Sequence, residues 1–147
     1  MKAPVKVDEL MEEWSKDSVI DETDINRELA RIPKLHSKYL NVLTHHTLVV
    51  KKLLGEYYKL RTKKFEYYKG DFSQEDYEET GWEIFVKKTG RDVNMYLEAD
   101  EELNNILLKK VMHEEIVEYC KAVLKELNSR TWQLKSYIDY ERFLRGG

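Results

Sequence analysis

Apolar residues and histidines between positions 25 and 60 recur in alternating steps of four and three, a rhythm typical of a long amphipathic helix. These positions are Ile25, Leu29, Ile32, His36, Tyr39, Leu43, His46, Val50, Leu53, Tyr57 and Leu60. We expect Asp21 or Thr23 to cap this helix, which should continue to Tyr68 and end with Gly70 as its C-cap. Pro33 lacks a backbone N–H, so we expect it to kink the helix or divide it near its first turns.

Two further helices are predicted from the same kind of spacing. The first covers residues 6–17, with apolar positions Val7, Leu10, Met11 and Trp14. The second is expected to be capped by Asp100 and to run towards Arg145, with Asn128 and Ser129 as a potential interruption. Its apolar stripe is Leu103, Ile106, Val117, Cys120, Leu124, Leu127, Leu134 and Ile138.

The region between the two long helices is first acidic and then β-favouring. Six carboxylates and no basic residue lie between Asp71 and Glu83. The stretch 82–97 contains two β-favouring runs on either side of Lys88–Arg91, which is compatible with a short β-hairpin. A two-stranded ribbon is marginal alone, so strand and helix both stay open for this stretch.

Composition indicates a helical protein that folds around one core. The 147 residues suit a single domain, and the 41% hydrophobic content is too high for a disordered chain despite a mean hydropathy of -0.69. Six glycines and two prolines are too few for a turn-rich β-sandwich. No basic-then-apolar leader opens the chain, and its longest uncharged stretch, 39–50, has about 12 residues against the ~20 of a membrane span. We therefore expect a cytosolic protein without a membrane segment.

The predicted organisation is one domain over residues 1–147 with three parts. Residues 1–70 form N-terminal helices with a basic segment, 71–98 an acidic and hairpin connection, and 99–147 a C-terminal helix. Two helices of this length cannot bury their apolar stripes within one compact chain of this size. The expected fold is therefore mainly α, an elongated hairpin of long helices that self-associates into a ring-like homo-oligomer.

Formal charge is distributed unevenly along the chain. Residues 1–30 carry -5, residues 31–69 carry +8 and residues 71–147 carry -6, which together give the net charge of -3. A basic central segment can attract a polyanion locally while the whole protein stays acidic. The alternative interpretation is a solvated helix face whose lysines only keep that face polar.

The segment 51–69 interleaves seven basic side chains with five aromatic ones. Binding of single-stranded nucleic acid uses this combination, because cations bind phosphates and flat rings stack on splayed bases. We expect Arg61, Lys63 and Lys64 to be free for an external anion, while Tyr57 lies on the apolar stripe and is assigned to packing. The predicted nucleic-acid-binding residues are Lys51, Lys52, Lys59, Arg61, Lys63, Lys64, Tyr67, Tyr68 and Lys69.

Catalytic and cofactor-binding patterns are missing from the sequence. His113 begins a stretch similar to a zinc-protease helix, but Val117 stands where the second histidine would be. The chain has no Glu-x-x-His motif, Gly-rich phosphate loop or nucleophile elbow. His36, His46 and Cys120 lie on apolar stripes, which favours packing roles. We therefore expect no catalytic residues, no metal site, no cofactor and no enzymatic activity.

A series of short motifs extends along the chain from residue 12 to residue 143. They are Glu12-Glu13-Trp14-x-Lys16-Asp17, Ile20-Asp21-x-Thr23, Ser37-Lys38-Tyr39-Leu40-Asn41, Phe65-Glu66-Tyr67-Tyr68-x-Gly70, Phe72-Ser73-x-x-x-Tyr77-Glu78, Leu97-x-Ala99-Asp100, Ser129-Arg130 and Ile138-Asp139-x-x-Arg142-Phe143. In order and spacing they resemble the UvsY-type recombination mediators of T-even-like bacteriophages, over nearly the whole chain.

The resemblance implies a non-enzymatic accessory protein in the cytoplasm of the infected bacterial host. Its implied partners are single-stranded DNA, the phage recombinase and the phage single-strand-binding protein. It would help load that recombinase onto DNA already covered by the binding protein. The resemblance also implies hexameric or heptameric rings assembled through the C-terminal region. The stripe that would supply subunit contacts there is Val117, Cys120, Leu124, Leu127, Leu134 and Ile138.

Two parts of the chain depart from the family's pattern. The family has Lys-x-Arg before an acidic residue and two tyrosines, and counting back from Tyr67 and Tyr68 places its arginine on Lys64 and its lysine on Thr62. The stretch from about Gly81 to Val93 resembles an insertion relative to the best-known member. The alternative function is a protein-only helical scaffold whose basic segment pairs with acidic residues of a neighbouring subunit.

Overall fold

The computed structural model describes residues 6–88 and 90–146, and the elements within them are helices. They are α1 (Val7–Asp17), α2 (Ile25–Lys69), α3 (Gln74–Thr80), α4 (Val93–Glu98) and α5 (Glu101–Leu144). No strand occurs among these described residues. The mainly α fold class predicted from the heptad spacing is confirmed, while the ring-like assembly stays a prediction.

The ends of the two long helices show which polar residues satisfy the free backbone groups. Asp24 caps α2, because its Oδ1 accepts the Arg27 amide at 3.1 Å. The predicted caps Asp21 and Thr23 are wrong, since the Asp21 carboxylate instead accepts the Thr23 amide at 2.9 Å in the preceding turn. Gly70 follows the last residue of α2 with φ of +90°, as expected for a C-cap glycine.

Both long helices run through the residues expected to disturb them. Pro33 lies inside α2, which continues as one element on either side of it, so the expected division does not occur. Asn128 and Ser129 lie inside α5, and the Ser129 hydroxyl donates to the Lys125 carbonyl at 3.3 Å within the helix. A hydroxyl that bonds back to the preceding turn is compatible with a helix interior.

The short β-hairpin, one of the two conformations left open for 82–97, does not occur among the described residues. Residues 82–88 have no regular secondary structure, and Thr89 in the predicted turn lies outside the described residues. Asp92 then starts α4, because its Oδ1 accepts the Met95 amide at 3.0 Å. In the described part of the chain the first run has no partner strand, and its aromatic side chains hold it through ring contacts, so burial of rings replaces strand pairing.

The chain forms two compact units, and each contains part of α2 and part of α5. Unit 1 comprises the residues up to Leu48 and those from Met112 onward. Its core consists of Leu10, Leu35, Tyr39, Ile116, Cys120, Val123 and Leu127. Three helices, α1, α2 and α5, contribute these side chains. Of the apolar positions predicted for the short helix, Leu10 is buried and Val7 and Trp14 pack against the core, whereas Met11 is exposed.

Unit 2 covers Val49–Val111 and is organised around rings. We call Tyr67, Tyr68, Phe72, Tyr77, Trp82, Phe85 and Tyr96 the aromatic cluster. Phe72 stacks on Trp82 with 5.5 Å between ring centroids, and Tyr68 stacks on Tyr96 at the same separation. Aromatic pairs add to the free energy of ring burial, so the cluster fixes the end of α2 against the loop and α4.

Two histidines of unit 1 make stability depend on pH. His46 is buried, and its Nδ1 lies 2.8 Å from Nδ1 of His113. Burial, and secondly the neighbouring His113 and His45, lowers the pKa of His46 from 6.5 to about 4. As pH falls from about 6.5 to about 4, the His46 imidazole therefore binds a proton in the unfolded chain but not in the folded chain.

We expect the free energy of unfolding to fall over that pH range, by up to about 3 kcal/mol from His46. Urea denaturation at pH 7.5 and at pH 4.5 measures the change, with a His46→Phe variant as the comparison. The variant should lose less stability on acidification, because it has no buried imidazole to protonate. Equal losses in both proteins would contradict the assignment to His46.

Candidate nucleic-acid interface

The part of α2 in unit 2 presents an exposed basic face. Lys51, Lys52, Lys59 and Arg61 are all exposed, and we refer to them as the four α2 cations. Across residues 6–88 and 90–146, no carboxylate lies within ion-pair distance of any of them. They therefore retain their attraction for an external anion, and their role in binding nucleic acid stays a prediction.

Two exposed aromatic rings lie on the same face. Tyr58 is 58% exposed and Phe65 is 39% exposed. Lys51, Tyr58 and Phe65 are seven residues apart in sequence and form one row along the helix. Lys52 and Lys59 lie about 100° around the helix on one side of this row, and Arg61 lies about 60° around it on the other side. Neither ring was among the predicted binding residues, although the heptad rhythm already places both positions off the apolar stripe.

The two aromatic residues that the sequence analysis did select are engaged inside unit 2. Tyr67 and Tyr68 belong to the aromatic cluster and are half-buried. The Tyr67 hydroxyl donates to the Glu83 carbonyl at 2.7 Å, and the Tyr68 hydroxyl donates to Asp100 Oδ2 at 2.5 Å. These rings are packed against their own chain, so stacking on a base would require the cluster to open.

Lys64 also forms contacts within its own chain, which corrects the expectation that it is free for an external anion. It is only 6% exposed, and its Nζ lies 3.1 Å from Asp100 Oδ2 and 3.2 Å from Glu102 Oε1. The same ammonium lies over the Trp82 ring, 4.1 Å from its centroid. A buried cation with two carboxylates and a π-face has its charge compensated internally.

The buried Asp100 carboxylate links α2 to the start of α5. Asp100 Oδ1 accepts the Leu103 amide at 2.9 Å, which confirms the predicted N-cap of α5. Burial acts to raise the pKa of Asp100, but hydrogen bonds from Tyr68, the Leu103 amide and Lys64 outweigh it and hold that pKa below 3.8. Burial and the Asp100 carboxylate together raise the pKa of Tyr68, so its hydroxyl stays a donor.

Lys63 and Lys69 each form an ion pair that is accessible to solvent. Lys63 Nζ lies 3.6 Å from Glu79, and Lys69 Nζ lies 3.5 Å from Asp71. All four side chains have substantial solvent access. Surface pairs of this kind contribute ~0–1 kcal/mol, so a phosphate could displace either carboxylate. Lys63 was expected to be free for an external anion, whereas in the structure Glu79 already pairs with it.

The chain that carries this face matches a known protein family. A family model described as recombination, repair and ssDNA binding protein UvsY matches residues 13–147. The chain belongs to the UvsY family. The resemblance drawn from the short sequence motifs is thereby confirmed, and the family's description agrees with an exposed basic and aromatic helix face.

Individual relatives support membership in the UvsY family. The recombination protein uvsY of Enterobacteria phage T4 is 25% identical over 150 residues, covering 97% of this chain and 99% of that protein. One crystal structure of the bacteriophage T4 recombination mediator protein UvsY matches with a TM-score of 0.77 at 20% identity, covering 95% of this chain and 98% of that one. A second matches with a TM-score of 0.76 at 22% identity, covering 97% and 99%. At these identities the structures support the fold.

The predicted subunit contacts of this UvsY-family chain are covered by the chain itself. Val117, Cys120, Leu127 and Leu134 are buried, and Leu124 packs against the core of unit 1. Ile138 is partly exposed. Large apolar side chains that α5 does expose near its end are Trp132, Tyr140, Phe143 and Leu144. A role of the predicted stripe in assembly stays a prediction, and the exposed set is a second candidate.

Other kinds of site find little support in the described structure. Among residues 6–88 and 90–146, no group of three or more histidine, cysteine, aspartate or glutamate side chains is placed to hold a metal ion. Within the same described part of the chain, every helix is too short or too polar to span a bilayer. Burial raises the pKa of the Cys120 thiol to about 11, which suits a packed side chain.

Proposed function

We propose that this UvsY-family chain is a phage recombination mediator that binds single-stranded DNA and helps load the recombinase onto DNA covered by single-strand-binding protein. It acts by binding, without catalysing a reaction and without a cofactor, in the cytoplasm of the infected host. The observation that carries the proposal is the exposed face of α2 in unit 2. There, as far as the described residues go, the four α2 cations have no carboxylate within ion-pair distance, and two exposed rings lie beside them.

The mechanism follows from the chemistry of that face. The four α2 cations bind phosphates on either side of the ring row and release counterions, while Tyr58 and Phe65 stack on unpaired bases, each stack contributing ~1–3 kcal/mol. In a homo-oligomer several such faces act together, so weak contacts on one subunit give strong binding by avidity. A strand bent around the assembly would strain its contacts with the covering protein and open sites for the recombinase.

Fluorescence anisotropy with a labelled single strand tests the proposal. We expect binding that depends little on base sequence and weakens steeply with salt, with a log–log slope of about -3 for each engaged subunit if four phosphates are contacted. A duplex of the same length should bind more weakly, because its stacked bases are inaccessible to the two rings. Absence of single-strand binding at low salt, with the protein folded and oligomeric, would overturn the proposal.

The second candidate is the protein-only scaffold, in which the basic segment pairs with acidic residues of a neighbouring subunit. Within one chain Lys64 already pairs with Asp100 and Glu102, and Lys63 with Glu79, so contacts of the same kind between subunits would use the exposed α2 cations. In that case charge reversal at the four α2 cations would change the subunit number measured by light scattering. A variant that keeps the wild-type subunit number but loses DNA would exclude the scaffold.

A further inference from the structure

Residues 83–88, which we call the 83–88 segment, expose apolar side chains in unit 2. Ile84 and Val86 are 79% and 80% exposed, the largest values for any big apolar side chain in the described residues. Phe85 between them is half-buried in the aromatic cluster. Ile84 and Val86 are therefore both available for contact with a ligand.

Three contacts anchor the segment to the rest of unit 2. The Glu83 carbonyl accepts the Tyr67 hydroxyl at 2.7 Å, and the Phe85 ring lies edge-on to Tyr96 with 4.8 Å between centroids. The Lys88 amide donates to the Tyr96 hydroxyl at 3.0 Å. Because its carbonyl, ring and amide are all held, the segment presents Ile84 and Val86 from a fixed position.

Exposed cations follow these apolar side chains immediately. Lys87, Lys88 and Arg91 are exposed, and the Arg91 amide donates to the Lys88 carbonyl at 3.3 Å, which keeps them adjacent. Within the described chain no carboxylate forms an ion pair with any of the three. The neighbouring Asp92 is committed to the Met95 amide as the cap of α4.

We propose that the 83–88 segment together with Arg91 is a second contact for single-stranded DNA. Lys87, Lys88 and Arg91 bind phosphates, and Ile84 and Val86 contact the faces of unpaired bases. Lys87, Lys88 and Arg91 outnumber Glu83, the one carboxylate of the segment, so the net charge favours a polyanion, and the apolar residues beside the cations suit a strand whose bases are exposed. The inference rests on the proposed function, because it adds a contact to the same DNA complex.

A triple alanine variant of the full chain tests the phosphate contacts. The substitutions are Lys87→Ala, Lys88→Ala and Arg91→Ala. We expect the dissociation constant for single-stranded DNA to rise on the order of 10- to 100-fold at about 0.1 M salt, and the log–log salt slope to fall by about 2. A variant with Lys121→Ala, Lys125→Ala and Lys135→Ala removes the same charge from α5 and should keep the wild-type slope.

A second variant separates base contacts from phosphate contacts. Ile84→Ser with Val86→Ser should weaken binding about three- to tenfold and leave the salt slope unchanged, because no cation is removed. Both side chains are exposed, so the protein should remain folded, as circular dichroism can verify.

The possible outcomes distinguish this inference from the function on which it rests. If the wild type binds DNA and the triple variant keeps its affinity and slope, the second contact does not exist. If the triple variant instead changes the subunit number in light scattering without DNA, the segment contacts a neighbouring copy and the inference is wrong. If the wild type binds no single strand, the proposed function fails and the inference fails with it.

Discussion

Alanine at all four α2 cations is expected to weaken binding of single-stranded DNA on the order of 100- to 1000-fold at about 0.1 M salt. The variant carries Lys51→Ala, Lys52→Ala, Lys59→Ala and Arg61→Ala. Each lost phosphate contact lowers the log–log salt slope by about 0.7, so the slope should fall by about 3 for each engaged subunit. Anisotropy titrations between about 0.05 and 0.3 M salt measure both quantities.

Removal of the same charge elsewhere controls for the net charge of the protein. The control variant carries Lys109→Ala, Lys121→Ala, Lys125→Ala and Lys135→Ala, all at exposed positions of α5. It should bind DNA with nearly the wild-type slope, since these residues lie outside the α2 face. An equal loss in both variants would show that total charge, and not this face, governs binding.

Helix ends and helix faces could be predicted from local residues. The C-cap at Gly70 and the N-cap at Asp100 depend on neighbours within a few positions, and both were predicted. The cap of α2 was missed by one to three residues because Asp21, Thr23 and Asp24 are all good capping types in one short stretch. Propensity alone does not choose among them.

The partners of Lys64 could not be read from its neighbourhood in sequence. Its carboxylates, Asp100 and Glu102, are more than thirty residues away, across the acidic stretch and α4. The same holds for Tyr67 and Tyr68, whose ring partners come from the loop and α4. A basic and aromatic composition predicts an interface with nucleic acid. Only the tertiary contacts reveal which of its cations and rings already pair or pack with residues of the same chain.

The sequence left the conformation of 82–97 open between strand and helix for a related reason. Its β-favouring residues include Phe85 and Tyr96, and both are held by ring contacts in the aromatic cluster. β propensity measures how well a side chain suits a half-buried surface, and a cluster of rings offers such a surface without a strand. Asp92 then favours a helix start, which local capping chemistry explains.

Asp100→Ala is expected to destabilise the folded chain by about 3–5 kcal/mol. The substitution removes the N-cap of α5, which alone contributes about 1 kcal/mol. It also removes the acceptor of the Tyr68 hydroxyl and leaves the buried Lys64 ammonium with Glu102, whose side chain is 55% exposed. Urea denaturation followed by circular dichroism at pH 7.5 measures the loss.

Two further variants separate the cap from the charge. Asp100→Asn keeps a good capping side chain but removes the negative charge, so it should recover only the cap contribution. Combining it with Lys64→Met removes the uncompensated cation, and the double variant should be more stable than Asp100→Asn alone. If the second substitution gives no recovery, the cost of Asp100→Ala does not come from the unpaired lysine.

The contribution of Asp100 to the free energy of unfolding depends on pH. The pKa of Asp100 is lower in the folded chain than its usual 3.8, so its contribution is complete above that value and is lost as pH falls below it. The double variant Lys64→Met with Asp100→Asn should lack this acid-sensitive contribution.

The same double variant should bind single-stranded DNA with the wild-type salt slope, because the charge of Lys64 is compensated within its own chain. A slope reduced by about 0.7 would instead show that Lys64 contacts a phosphate in the complex.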